Sequence, residues 1–380
     1  MDVQGHEKRQ SDRMNVVFRA DASLRIGSGH VMRCLTLAEE LRRQGHSCEF
    51  VCREHSGHLG EFIASRDFTC HLLANPEEPA AKPVQSYNTG YSDWLGVDWE
   101  TDAEQTLAAI SPLQVDWLVS DHYALDSRWE KRLATVARRL MVIDDLADRD
   151  HECDLLLDQN LGTQDSDYSH RVPARCSKLI GPRYALLRPE FPALREGALE
   201  RRTKPSIKRI LISLGGVDPD NVTAEVMRAL THSSLPVDTE LDIVLGAAAP
   251  HLEEVRALAD ELPFQATVSV SVSDMAERMC RADISVGAAG STSWERCCLG
   301  LPAIMVILAE NQRAIGNALA TSGSAILLDK DAIADQLGGI LDELVRSDER
   351  LQRLADNART ICDGLGTSRL VSEMVRISKS

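Results

Sequence analysis

No stretch of this 380-residue chain is apolar for long enough to span a bilayer, and no excess of basic residues is present to cover a nucleic acid. Lys and Arg together number 42 against 58 Asp and Glu, a formal net charge of -16. A surface that acidic repels phosphodiester backbones and anionic lipid, so neither nucleic acid nor membrane is expected as a partner. The first glycine-rich turn lacks the G-x-G-x-x-G spacing of a dinucleotide fold and the G-K-[ST] of a P-loop. The two glycine-rich loops also lack an Asp-x-Asp pair or a histidine cluster with ligand spacing, so no metal and no cofactor is expected there. Residues 1–13 carry no apolar core of a leader peptide and are expected to fray. The ten cysteines follow no small secreted framework, which predicts reduced thiols and a cytoplasmic setting. Cys48, Cys52, His55 and His58 match no standard zinc spacing; Cys48, Phe50 and Cys52 fall on one face of a predicted strand, as small buried hydrophobes do.

What the chain does have is concentrated in Val16–Leu41. Val16, Val17 and Phe18 read as a buried strand, Asp21–Gly29 as a polar loop, and Val31, Leu35, Ala38 and Leu41 as the apolar face of a helix that stops at Gly45. His30 therefore opens a helix directly behind Gly27 and Gly29, where glycines let a ligand approach the backbone and free N–H groups attract phosphate. A histidine placed there can serve as a general base.

Further strand–loop–helix units follow: strands at Ser47–Arg53, Phe68–Leu73, Asp116–Ser120, Leu140–Ile143 and Leu155–Leu157, with helices at Gly60–Ser65, Asp102–Ile110 and Arg128–Arg138. Residues 74–100 hold Pro76, Pro79, Pro83, Trp94 and Trp99, a long irregular segment of the kind that often carries function. Asp121-His122-Tyr123 and Asp144-Asp145 sit at strand C-terminal ends, where sites are built. Asp144 and Asp145 must point to opposite faces, so at most one meets a given pocket. Gly181–Lys204, with three prolines and gathering charge, reads as a linker.

A second alternation begins at Ile207–Leu214, which ends in Gly215-Gly216. Asp283–Val286 leads into Gly287–Ser293, with Glu295 in the first turn of the next helix, and Ala303–Leu308 precedes Asn311-Gln312. Hydroxyls and N–H groups at Gly290, Ser291 and Thr292 suit a pyrophosphate, and a carboxylate one step into the helix suits vicinal ribose hydroxyls. Ile333–Ile377 is largely helical. The sum is α/β: two doubly wound Rossmann-like domains, 14–190 and 205–380, with an interdomain cleft, the glycosyltransferase-B layout of nucleotide-sugar enzymes.

Taken together, Arg19-Ala20-Asp21, Gly27–His30, Arg33-Cys34-Leu35, Trp94-Leu95-Gly96, Asp121-His122-Tyr123, Ile143-Asp144-Asp145, Gln159-Asn160, Gly181–Arg188, Leu214–Asp218, Gly287–Glu295 and Asn311-Gln312 resemble the pseudaminic-acid pathway hydrolases, over roughly Val16 to Ile377. Those enzymes act on UDP-2,4-diacetamido-2,4,6-trideoxy-β-L-altropyranose. The resemblance implies a metal-independent hydrolase similar to the MurG-like transferases, with water attacking the anomeric carbon with inversion. It implies His30 as the base, with Asp21 or Asp145 orienting it, and Glu295 on the ribose. Arg19, Tyr123, Asn160, Gly215, Gly216, Asn311 and Gln312 complete the expected substrate contacts. Three alternatives stand beside it: a transferase of the same fold using a UDP-sugar donor, a hydrolysing UDP-sugar 2-epimerase, and a non-enzymatic nucleotide-sugar sensor.

Overall fold

A computed structural model gives the structure, which describes residues 13–75 and 90–380. The expectations for residues 1–12, and for Pro76, Pro79 and Pro83, lie outside the described residues. The chain divides into two units, residues 13–186 with 366–380, and residues 187–365.

The first unit is a parallel sheet of β1 (Asn15–Ala20), β2 (Ser47–Arg53), β3 (Thr69–Leu73), β4 (Val115–Asp121), β5 (Ala137–Ile143), β6 (Leu155–Asp158) and β7 (Ser177–Ile180) in the order β3-β2-β1-β4-β5-β6-β7. Helices α1 (Gly29–Arg43), α2 (Gly60–Ser65), α3 (Trp99–Ile110) and α4 (Ser127–Leu133) make the crossovers. The alternation of β1 explains the layering. Val16 and Phe18 enter one core with Val31, Leu35, Ala38 and Leu41 of α1, while Val17 enters the other with Ala103, Ile110, Trp129 and Leu133. Cys48, Phe50 and Cys52 share the first of these cores. Helix α1 carries Arg42 and Arg43 in its last turn, against the negative end of its dipole, and the chain leaves it through Gly45 at φ +91°.

The second unit repeats the plan with β8 (Arg209–Ser213), β9 (Glu240–Leu245), β10 (Gln265–Val270), β11 (Ile284–Ala288), β12 (Ala303–Ile307) and β13 (Ile326–Asp329), all parallel, in the order β10-β9-β8-β11-β12-β13. Its helices are α5 (Glu190–Arg201), α6 (Val222–Leu230), α7 (Leu252–Glu261), α8 (Met275–Arg281), α9 (Thr292–Cys298), α10 (Arg313–Thr321), α11 (Ile333–Val345) and α12 (Asp348–Ile361). In each sheet the strand order reverses beside the first strand, between β1 and β4 and between β8 and β11. Those reversals are where open α/β sheets bind ligands.

Three expectations need correction. The expected linker is mostly helix: Pro189 is the N-cap residue of α5 and Pro192 lies in its first turn, where proline breaks no hydrogen bond. The expected helix over Arg128–Arg138 stops at Leu133, and β5 starts at Ala137. The expected second domain does not run to residue 380, because α13 (Gly366–Ser378) belongs to the first unit. Leu370, Val371, Met374 and Ile377 enter the core of α1, Ser378 Oγ accepts from Trp117 Nε1 at 2.7 Å, and Ser177 Oγ donates to Glu373.

Candidate active site

In the first unit the site forms at the reversal between β1 and β4. His30, the second residue of α1, is 8 % exposed, and its Nδ1 lies 2.6 Å from Asp121 Oδ1 at the end of β4. Arg33, one turn along α1, donates from Nε to Asp121 Oδ2 at 2.6 Å and from Nη2 to Oδ1 at 2.7 Å. Burial alone would raise Asp121, but Arg33 and His30 outweigh it and hold the carboxyl well below its ordinary range. The ionised carboxylate thus accepts a hydrogen bond from Nδ1–H, which leaves His30 Nε2 as the basic nitrogen. The expected partners of His30 were Asp21 and Asp145. The structure gives it neither; Asp121 orients the ring.

Asp145 is nevertheless part of the same network. Arg33 Nη1 bridges to it at 2.8 Å, and Tyr123 donates its hydroxyl to Asp145 Oδ2 at 2.7 Å. Burial and that carboxylate push the Tyr123 phenol up. The Tyr123 ring meets His30 edge-on at 4.6 Å, and Trp94 stacks on Tyr123 at 5.7 Å. Asp144 faces the other way, toward Arg149 and the hydroxyl of Tyr168. That hydroxyl lies 2.8 Å from Asp144 and 3.0 Å from Asp158, which burial pushes up to about 7. Asn160 donates its side-chain N–H to the Asp145 carbonyl at 3.0 Å, so it holds the Asp145 turn in place. A cavity of about 1000 Å³ lies beside Tyr123, lined among others by Leu95, Val97, Trp99 and Arg149.

Asp21 and Arg19 do something else. Both are fully buried. Arg19 donates from Nη1 and Nη2 to Asp21 at 2.6 and 2.9 Å and from Nη2 to Asp102 at 2.6 Å, and Arg53 joins through Asp102 at 2.7 Å. Asp21 also accepts the Arg53 backbone N–H, tying the end of β1 to β2. His122 turns to this side, 3.3 Å from Asp21, and burial lowers its pKa. The network supports the loop under His30 and presents no open surface of Arg19 to a ligand.

The second unit places its expected residues at strand ends. Gly215, at φ +111°, and Gly216 follow β8; Gly290 and Ser291 precede α9. A Cβ at Gly29, Gly216 or Gly290 would meet nothing within 4 Å, and none of the three has positive φ. Neither packing nor backbone conformation requires glycine there. Gly27, open as well, has φ +82°. Thr292 Oγ1 accepts from Arg296 and keeps its own proton to donate, whereas Ser293 turns inward toward Met305. Glu295 is half-buried, and burial pushes its carboxyl up to about 7 against the pull of Arg188 and Arg296. Gln312 Oε1 accepts the Leu308 N–H at 3.1 Å, a contact that shapes the loop after β12; the backbone of Asn311 lies in the same turn.

The residues the sequence underrates are Arg33, Asp121 and Asp102. His30 and Arg33 share one helix face at i, i+3, and Asp121 ends a strand, so each carried a signal; their meeting did not.

Residues 234–365 match the glycosyltransferase family 28 C-terminal domain. The chain is 26% identical over 315 residues to the spore coat polysaccharide biosynthesis protein SpsG of Bacillus subtilis, covering 82% of this chain and 83% of that one. It is 27% identical over 248 residues to the UDP-2,4-diacetamido-2,4,6-trideoxy-beta-L-altropyranose hydrolase of Campylobacter jejuni, covering 65% and 74%. An uncharacterized protein of Methanocaldococcus jannaschii is 23% identical over 304 residues; the match takes in 79% of this chain and 57% of the relative's length. Among solved structures, MurG of Acinetobacter baumannii superposes with a TM-score of 0.65 at 17% identity, over 96% of this chain and 99% of that one. No helix of the described residues is long and apolar enough to cross a membrane. The two doubly wound parallel-sheet units are those of the glycosyltransferase-B fold.

Proposed function

We propose that this chain is a UDP-sugar hydrolase that removes UDP by inverting attack of water at the anomeric carbon. The observation that carries the reading is the His30–Asp121 pair: a base fixed in one tautomer, at the ligand-binding end of a doubly wound sheet. His30 Nε2 takes a proton from water as its oxygen bonds to the anomeric carbon. The bond to the diphosphate breaks and its electron pair leaves with UDP. Diphosphate is a good leaving group, so the second unit need only hold its charge, which suits the open Gly290–Thr292 loop and the N–H groups it offers. Glu295 is assigned to the ribose hydroxyls. The match to a family 28 C-terminal domain spans this loop. The substrate named for the Campylobacter jejuni relative, UDP-2,4-diacetamido-2,4,6-trideoxy-beta-L-altropyranose, is proposed here as well, and a cytoplasmic, metal-independent reaction goes with it.

The second reading is a transferase in which a sugar hydroxyl replaces water over the same base, favoured by the family 28 match. Incubation with UDP-diacetamido sugars in the absence of any acceptor, followed by NMR, separates the two. Hydrolysis gives UDP and a free sugar of inverted anomeric configuration. UDP release only when an acceptor is added would replace the hydrolase with the transferase, and a product changed at C2 would point to epimerisation.

A further inference from the structure

The second unit buries a charge that the proposed reaction leaves unused. Arg296, on α9, is 3 % exposed, and its guanidinium meets no carboxylate among the described residues. Its partners all come from its own loop. Nη2 donates to the Ala288 carbonyl at 2.6 Å and to Thr292 Oγ1 at 2.8 Å, and Nε donates to the Thr292 carbonyl at 3.3 Å. Ala288 ends β11 and Thr292 begins α9, so one side chain ties together the two ends of the loop Ala289–Ser291. The strand makes room for it: a Cβ on Gly287 would stand 2.5 Å from Arg296 Nη1 and 2.8 Å from the Ser213 carbonyl. The backbone carbonyl of Ser213 and the Arg296 guanidinium together leave no room for a Cβ at Gly287.

A buried cation without a counter-ion is costly. Burial lowers Arg296 from its ordinary value to about 10, and the adjacent Glu295, raised to about 7, is a weak source of compensating charge. The loop above the guanidinium is open: nothing lies within 4 Å of a Cβ built on Gly290, and Ser291 and Thr292 are exposed. A protein that shields a positive charge from water beneath an open loop leaves an unbalanced field at that loop.

We propose that Arg296 is the positioning residue of a diphosphate seat, holding the Ala289–Thr292 loop in shape and supplying beneath it the positive charge that a bound diphosphate balances. The residue acts through the loop and does not touch the ligand. The inference rests on the reading that this unit holds the nucleotide, and it adds a prediction of its own: the charge favours the diphosphate over the nucleoside to which it is attached.

Calorimetric titration of the full chain with uridine and with UDP tests it, in the wild type, Arg296→Gln and Arg296→Lys. Arg296→Gln weakens UDP roughly 10- to 100-fold and uridine less than about twofold, as removal of a shielded charge requires. Arg296→Lys keeps the charge and retains most of the preference for UDP over uridine. A residue that only braces the fold would lower both ligands alike, so an unchanged UDP-to-uridine ratio in Arg296→Gln overturns the proposal. If that variant does not fold, the lysine variant decides: a preference lost although the charge remains overturns it too. Wild-type protein that binds neither ligand would instead remove the nucleotide reading beneath the proposal.

Discussion

The turn after β1 and the turn after β11 have the same architecture and opposite electrostatics. Each leaves a strand through a loop that contains glycine and enters a helix whose first turn carries the candidate residue, His30 or Glu295. After β1 the buried groups of the site are paired with one another: His30 and Arg33 with Asp121, Arg33 also with Asp145, and Asp145 also with the Tyr123 hydroxyl. After β11 the charges are left open. Burial displaces Glu295 upward to about 7 and Arg296 downward to about 10, each toward neutrality. A closed network fixes geometry before the substrate arrives, which suits proton transfer. An open one gains from whatever ligand completes it, which suits binding. Under the proposed function the contrast puts rate on the first turn and affinity on the second, and it can be broken from either side.

The largest expected effect is on rate. His30→Gln keeps a polar contact and loses proton transfer, so turnover falls by about 10²–10⁴ while UDP affinity is nearly unchanged. Melting temperature and single-turnover rate, measured on the same variant, decide it. A folded His30→Gln protein that works at the wild-type rate would end the base assignment. Asp121→Asn should follow with a loss of roughly 10–100-fold, since an oriented base loses its fixed tautomer when the orienting carboxylate becomes an amide. The same change leaves Arg33 without its bidentate partner and costs about 3–5 kcal/mol of stability, typical of breaking a buried pair. Chemical denaturation of Asp121→Asn at wild-type stability would show that the network is not the support described here.

On the second turn the effect is on binding. Glu295→Ala should weaken UDP by about 1.5–3 kcal/mol, the range for hydrogen bonds to a charged group, with little change in the rate at saturating substrate. Titration calorimetry showing unchanged affinity would remove Glu295 from the ribose.

The pattern of legibility follows from the range of the interactions. Alternation of strand and helix is local, so the two doubly wound units were readable, as was α1 with its apolar stripe from Val31 to Leu41. The edge strands β7 and β13, four residues each, are too short to carry a period. The proline-rich Gly181–Lys204 misleads because proline marks a helix start as readily as a loop. The apolar stripe of α13 says that one face is buried, not which unit buries it. Within the site, glycines and strand-end carboxylates were readable as candidates. Their pairing was not: Asp121 and His30 are 91 positions apart, and only the β1–β4 adjacency brings them together.

The smallest effect, and the sharpest test of the contrast, is a pH shift. Glu295 has its folded-state pKa raised from 4.5 to about 7, so the folded protein without ligand holds a proton there that the unfolded chain releases. Raising the pH from about 4.5 to 7 therefore removes stability in the absence of nucleotide, and below that window the group costs nothing. A ribose that donates its hydroxyls to the carboxylate favours the ionised form, so UDP affinity should rise with pH through 7 and level off above it. Asp158, pushed up to about 7 in the first unit, titrates in the same window but faces no open turn. It contributes equally to wild type and Glu295→Gln, as does the titration of UDP itself. The difference between the two proteins thus isolates Glu295. The wild type should gain more UDP affinity, and more ligand-induced rise in melting temperature, between pH 6 and pH 8 than Glu295→Gln gains. Parallel pH profiles for the two would mean that the open carboxylate of the second turn is not completed by the nucleotide, and the division between a closed catalytic turn and an open binding turn would fail on its second half.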